Sequence, residues 1–141
     1  GEEGPPQYIW SALDVLKVPR IDHGVRCEED DALVARLVDE KIPLTVCPLS
    51  NAALKVYTNM REHNLKRLLD RGLCITINSD DPAYFGGYMN ENLFAISDAL
   101  GLSRDDITAL TGNGFRASFL PEHKINHYLE ELEQYVDTAS Q

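Results

Sequence analysis

The chain has 141 residues, 43% hydrophobic and 26% charged, with 13 basic against 23 acidic side chains, a formal net charge of −10 and a pI near 4.7. That length suits one domain, and so acidic a surface, with no basic stripe interleaved with aromatics, excludes a nucleic-acid partner. No apolar run approaches the roughly 20 residues of a membrane span and no targeting segment is visible. Cys27, Cys47 and Cys74 follow neither a disulfide framework nor a zinc spacing, which points to a reducing, cytoplasmic setting.

Gly1-Glu2-Glu3-Gly4-Pro5-Pro6 reads like a strand-end loop already under way. Residues 8–18 form an amphipathic stretch, and residues 20–25 make a short strand whose polar end carries His23 before Gly24. In residues 30–40, Leu33, Val34, Leu37 and Val38 share one stripe of a helix. Residues 44–47 predict a second strand that leaves through a polar turn, Pro48-Leu49-Ser50-Asn51. Within residues 63–71, Leu65, Leu68 and Leu69 predict a helix that Gly72 ends. Ile75-Thr76-Ile77 then runs into Asn78-Ser79-Asp80-Asp81-Pro82. Beyond it lie a helix over 88–100, a capping box of Ser103 with Asp106 ahead of a helix over 107–110, and a long helix over 123–136 opened by Pro121. Ile125, Tyr128, Leu129, Leu132 and Tyr135 are its expected apolar stripe.

Helix and strand alternate in units of about 25 to 30 residues, as parallel strands joined by crossover helices require. The expected fold class is α/β, with three parallel strands ordered as in the chain. In such folds ligands bind at the carboxyl ends of the strands, and His23, the turn at residues 48–51 and Asp80-Asp81 all fall there. Two adjacent carboxylates disfavour each other's ionisation unless a cation or hydrogen-bond donors compensate them. Taken alone, Asp80-Asp81-Pro82 reads equally as a turn and as a site. Ser50 and Asn51 are expected to hold loops through bonds to backbone, and Cys47 and Cys74 to be small buried residues. His123 and His127, four residues apart on a charged terminal helix with no carboxylate between them as in a zincin motif, are not expected to bind metal.

Four blocks carry a resemblance: Gly1-Glu2-Glu3-Gly4-Pro5, Arg20-Ile21-Asp22-His23-Gly24-Val25-Arg26, Cys47-Pro48-Leu49-Ser50-Asn51, and residues 78–88, Asn-Ser-Asp-Asp-Pro-Ala-Tyr-Phe-Gly-Gly-Tyr. In this order and spacing they resemble the second half of the adenosine/adenine deaminase family, and the likeness continues through Ala117-Ser118-Phe119-Leu120-Pro121 to the last helix. The turn at residues 48–51 and the segment at 83–88 look most like the branch that acts on the free base adenine. AMP deaminases share part of the pattern.

The resemblance implies the C-terminal part of a (β/α)8 TIM barrel. Since such a barrel takes about 250 residues, residues 1–141 are expected to be one portion of a single domain that needs an N-terminal portion. It implies Zn2+ as cofactor and a small purine base as substrate. Glu2 matches the proton donor to purine N1, His23 the histidine that orients and helps deprotonate the attacking water, Asp80 a zinc ligand, and Asp81 the acceptor of a hydrogen bond from N7. The family's remaining zinc-binding histidines have no counterpart in these blocks. Aromatic C6 is a poor electrophile, so such an enzyme must sharpen its nucleophile and let the ring accept charge, which protonation of N1 by a neutral Glu2 provides. Tyr84 and Phe85 are candidates to close the pocket mouth. Two other readings stay open: an adenosine deaminase acting on the nucleoside, and a noncatalytic half-barrel serving in assembly.

Overall fold

A computed structural model describes residues 1–139. Its element order is α1 (Pro6–Ser11), β1 (Ile21–Asp22), α2 (Asp31–Asp39), β2 (Leu44–Val46), α3 (Pro48–Ala53), α4 (Leu65–Asp70), β3 (Ile75–Ile77), α5 (Pro82–Phe85), α6 (Met89–Leu100), α7 (Arg104–Arg116) and α8 (Glu122–Thr138). The three strands form one parallel sheet in the order β1-β2-β3, with Leu44 opposite both Ile21 and Ile75. This is the arrangement the alternating apolar runs predict. All three residues of β3 are buried, as expected of a parallel strand covered on both faces, while Asp22 of β1 is exposed.

The core gathers Ile9, Leu33, Leu37, Leu44, Val46, Leu65, Leu68, Ile75, Ile96 and Leu110. The stripe of α2 is buried through Leu33, Val34 and Leu37. Asp30 starts that helix: its Oδ1 accepts the Ala32 and Leu33 amides and its Oδ2 accepts from Trp10 Nε1 at 2.8 Å. α7 packs along β3, and Asn113 Nδ2 donates to the Ile75 carbonyl at 3.0 Å, so the helix satisfies a backbone group of that strand.

Several expectations need correction. Residues 8–18 are a short helix, α1, followed by a π turn at Ala12–Leu16 that ends where Lys17 takes a left-handed conformation, φ 54°. The polar turn at 48–51 is the start of a helix, α3: Pro48 is preorganised for a first helical position, and its lost N–H would be unpaired there anyway. The helix expected over 63–71 begins only at Leu65, because the His63 ring accepts the Leu65 amide at 3.0 Å and so stands outside the turn it starts. The helix expected over 107–110 runs on as α7 to Arg116, with the Ser103–Asp106 capping box formed as predicted. In α8 no residue is buried. Ile125, Leu129 and Leu132 are half-buried against α7, whereas Tyr128 and Tyr135 are exposed, because one neighbouring helix covers only a narrow strip. Cys74 is half-buried rather than buried. Among the described residues no helix is long and apolar enough to cross a membrane.

Candidate active site

The three strands deliver their polar ends to one side. His23 follows β1 directly, Cys47 follows β2, and Asp80 stands three residues beyond the end of β3. Both His23 and Asp80 have left-handed backbones, φ 59° and 56°, at a cost of about 1 kcal/mol or more each for residues with a Cβ. Gly24, φ 74°, continues the first turn, and a Cβ there would lie 2.6 Å from the Leu44 side chain. The strained turn aims the His23 ring between two carboxylates: Nδ1 lies 3.6 Å from Glu2 Oε1 and Nε2 lies 3.8 Å from Asp80 Oδ2. Neither separation is a hydrogen bond, and His23 Nδ1 is buried without a hydrogen-bond partner.

Glu2 is brought in by the N-terminal segment, which lies against the His23-Gly24 turn: the Gly1 carbonyl accepts from Arg26 N at 3.5 Å and a Cβ on Gly1 would meet the Asp22 carbonyl at 2.7 Å. Asn51 Nδ2 donates to Glu2 Oε1 at 2.5 Å and Ser50 Oγ donates to the same oxygen at 3.2 Å. The expectation that Ser50 and Asn51 serve the loop backbone is thus corrected. Once residues 48–53 are helical, the Ser50 and Asn51 side chains are free to face the carboxylate, and both are fully buried there. Behind Asn51 stands buried His63, its Nε2 3.0 Å from Asn51 Oδ1. Burial pushes the His63 imidazole down to about 4, so the ring is neutral near pH 7. From the other side Asn92 of α6 fixes the start of α3, accepting from the Leu49 amide at 3.0 Å.

The sequence reading missed two members of this cluster. Cys47 puts its Sγ within 4.8 Å of ligand atoms of His23 and Asp80. Its position after β2, level with the other two strand exits, was the available signal. Burial first, then the Asp80, Glu2 and Asp22 charges, push its thiol up to about 12, so the sulfur sits there as a neutral thiol. The sequence pattern sets His63 in a helix, and nothing in it separates His63 from an ordinary first-turn residue.

Asp81 is outside this cluster; one of its oxygens serves the turn and the other is left without a hydrogen bond among the described residues. Its Oδ1 accepts the Ala83 and Tyr84 amides, both at 3.1 Å, and so caps α5. Its Oδ2 accepts no hydrogen bond among the described residues. Tyr84 is 78% exposed and packs edge-on against Phe85. His127 lies 3.6 Å from Glu131 on the exposed face of α8, and His123 joins it in no metal-ligand cluster among the described residues.

A carboxylate oxygen of Asp80, a ring nitrogen of His23 and the Cys47 sulfur lie within 4.8 Å of one another, and the carboxylate and imidazole are of the kind that fit part of a zinc donor set.

The comparisons with known proteins agree with the geometry. The chain is 61% identical over 136 residues to an adenine deaminase of Hahella chejuensis, covering 96% of this chain and 41% of that protein. It is 59% identical over 134 residues to an adenine deaminase of Acinetobacter baylyi, covering 95% of this chain and 40% of that protein. The crystal structure of an adenine deaminase from Arthrobacter aurescens superposes with a TM-score of 0.95 at 47% identity, over 97% of this chain and 42% of that one. The chain thus spans about 40% of the length of the relatives it matches, and the parallel sheet with its crossover helices is the C-terminal part of a (β/α)8 barrel. With residues 1–135 matching the adenosine deaminase family model, the chain belongs to the adenosine deaminase family.

Proposed function

We propose that this chain is the C-terminal portion of the single barrel domain of a zinc-dependent adenine deaminase, which converts adenine and water to hypoxanthine and ammonia in purine salvage. The observation that carries the reading is the convergence of Glu2, His23 and Asp80 at the strand exits of a chain whose relatives are adenine deaminases. The remaining metal ligands are assigned to the N-terminal portion, since the relatives are more than twice as long as the part matched. Three free cysteines suit the cytoplasm.

Asp80 would hold the metal, with His23 and Cys47 beside it. When bound, zinc supplies a Lewis acid that lowers the pKa of water and so makes it a nucleophile near neutral pH. His23 holds the attacking water in line with purine C6 and takes its proton. Glu2 gives a proton to N1, which turns the N1–C6 bond iminium-like and spares the ring a buried negative charge. Asp81, through its free Oδ2, accepts from N7–H and selects that tautomer. The C6–N6 bond then breaks and N6 leaves as ammonia with the proton His23 took from water; the second water proton leaves O6 as the C6 carbonyl forms and restores Glu2, while N1 keeps its proton.

Adenine rather than adenosine is assigned as substrate because the relatives matching nearly the whole chain are adenine deaminases. The test is kcat/KM for adenine and adenosine on the complete enzyme, with bound metal measured alongside. Strong preference for adenine together with bound zinc is the expected result. An adenosine value equal to or above that for adenine overturns the substrate, and full activity after zinc is stripped overturns the metal.

A further inference from the structure

We propose that His63 is a positioning residue for Glu2, acting through Asn51 to fill one oxygen of the carboxyl group with donors and leave the other to carry the acid proton; this rests on Glu2 being the proton donor. The Leu65 backbone N–H can only donate, and it donates to His63 Nδ1 at 3.0 Å. Nδ1 is therefore the bare nitrogen of the neutral ring, and the proton sits on Nε2. Nε2 in turn donates to Asn51 Oδ1 at 3.0 Å. That leaves the Asn51 amide one orientation, with Nδ2 toward Glu2 Oε1 at 2.5 Å. A backbone amide two elements away thus sets the direction of the last hydrogen bond in the series.

Burial gives the series its force. His63 is 1% exposed and Asn51 and Ser50 are 0% exposed, and the Tyr57 ring covers His63 with centroids 4.4 Å apart. A buried amide that loses a partner shifts to recover one, since an unmade hydrogen bond in such a place is costly. Without the Nε2 donor, Asn51 is held by the Glu2 oxygen alone and shifts to find a partner for its buried Oδ1. With it, Oε1 takes two donors, from Asn51 and Ser50, and so holds the carbonyl character of the neutral acid. Oε2 accepts no hydrogen bond among the described residues, and it is the oxygen that presents the proton to N1.

The experiment compares His63→Gln with His63→Asn in the complete enzyme with adenine as substrate. Glutamine keeps an N–H that reaches Asn51, whereas asparagine keeps a polar group near the Leu65 amide and falls short of Asn51. Misplacement of a reacting group by an ångström costs about 100-fold, so His63→Asn is expected to lower kcat about 10–100-fold, with KM and bound zinc within about twofold. His63→Gln is expected to stay within about threefold of wild type. Asn51→Leu is expected to match His63→Asn, and the double variant to be no worse than Asn51→Leu alone, because both act on one hydrogen bond. Equal kcat for the Gln and Asn variants, wild-type kcat in His63→Asn, or additive losses in the double variant overturns the proposal. Glu2→Gln, measured in parallel, separates this from the parent reading: wild-type turnover in that variant removes Glu2 as the acid, whereas its inactivity beside indistinguishable His63 variants removes only the positioning role.

Discussion

Around the strand exits polar side chains are buried and bonded to one another, whereas in the outer helix α8 no side chain is buried and the polar groups face water. Ser50, Asn51, His63 and Asn92 sit in the first region with almost no exposure, and two of its residues hold left-handed backbones that a plain turn would give to glycine. The second region is built from stabilising devices alone: a capping box on α7, an Arg104 hydrogen bond to the Val136 carbonyl at 2.6 Å, and a half-buried apolar strip. Burying polar groups and straining the backbone costs stability, and the chemistry proposed for the strand exits gives that cost a reason. The capping box and the Arg104 hydrogen bond of the outer helices serve stability.

The largest effect expected from that contrast is at Asp80. Asp80→Ala in the complete enzyme removes an anionic ligand and should abolish bound zinc and lower adenine turnover by about 1,000-fold or more. Metal content by mass spectrometry beside hypoxanthine formation checks both. Retained zinc with retained turnover would reduce Asp80 to a strained turn residue and erase the distinction between the two regions.

How much of this was legible follows the range of the interactions. The sheet order and the placing of His23 and Asp80 on one side were legible because each depends on a short local run: an apolar strand with a polar end. The Ser103–Asp106 box was equally readable, its two residues lying three apart. The Glu2, Asn51 and His63 series was not, since its partners lie 49 and 12 residues apart and only the folded chain aligns them. The helix at Pro48–Ala53 was hidden for another reason: Pro, Ser and Asn are turn residues and also good helix-start residues, and packing of Asn92 against the Leu49 amide decides between the two.

A second effect concerns stability and pH. In the folded chain burial holds the His63 imidazole near 4, against 6.5 in the unfolded chain. Between those values the unfolded chain binds a proton that the folded chain refuses. The contribution is therefore complete above pH 6.5 and is lost as pH falls toward 4, by about 3 kcal/mol in all. Urea unfolding at pH 7.5 and pH 5 should show the loss in wild type and a flatter profile in His63→Gln. An unchanged pH dependence in that variant would mean that the buried polar region contributes nothing particular to acid sensitivity.

Asp81 stands between the two regions, since one oxygen caps α5 and the other is free. Asp81→Asn keeps an oxygen for the cap and replaces the free acceptor by an N–H that opposes N7–H. It should retain zinc and lower kcat/KM for adenine about 10- to 100-fold, the value of one hydrogen bond to a charged group with its partner left unpaired. Asp81→Ala should add a loss of about 1 kcal/mol in stability from the missing cap. Equal kcat/KM in Asp81→Asn and wild type would assign Asp81 to the cap alone.

The smallest effect belongs to the outer layer, and its smallness is the point. Ser103 Oγ accepts the Asp106 amide at 3.1 Å while Asp106 Oδ2 accepts the Ser103 amide at 2.9 Å, and those hydrogen bonds hold the Asp106 carboxyl below the usual carboxylate range. Ser103→Ala leaves one first-turn amide of α7 without its side-chain acceptor and should cost about 1 kcal/mol. α7 carries Leu110 into the core and Asn113 onto β3, so a frayed first turn is expected to lower the urea midpoint without moving the strand exits. Turnover and KM for adenine should remain within about twofold of wild type. A tenfold fall in kcat with an unchanged urea midpoint would show that α7 transmits to the site, and the division between a chemical region and a supporting one would have to be redrawn through β3.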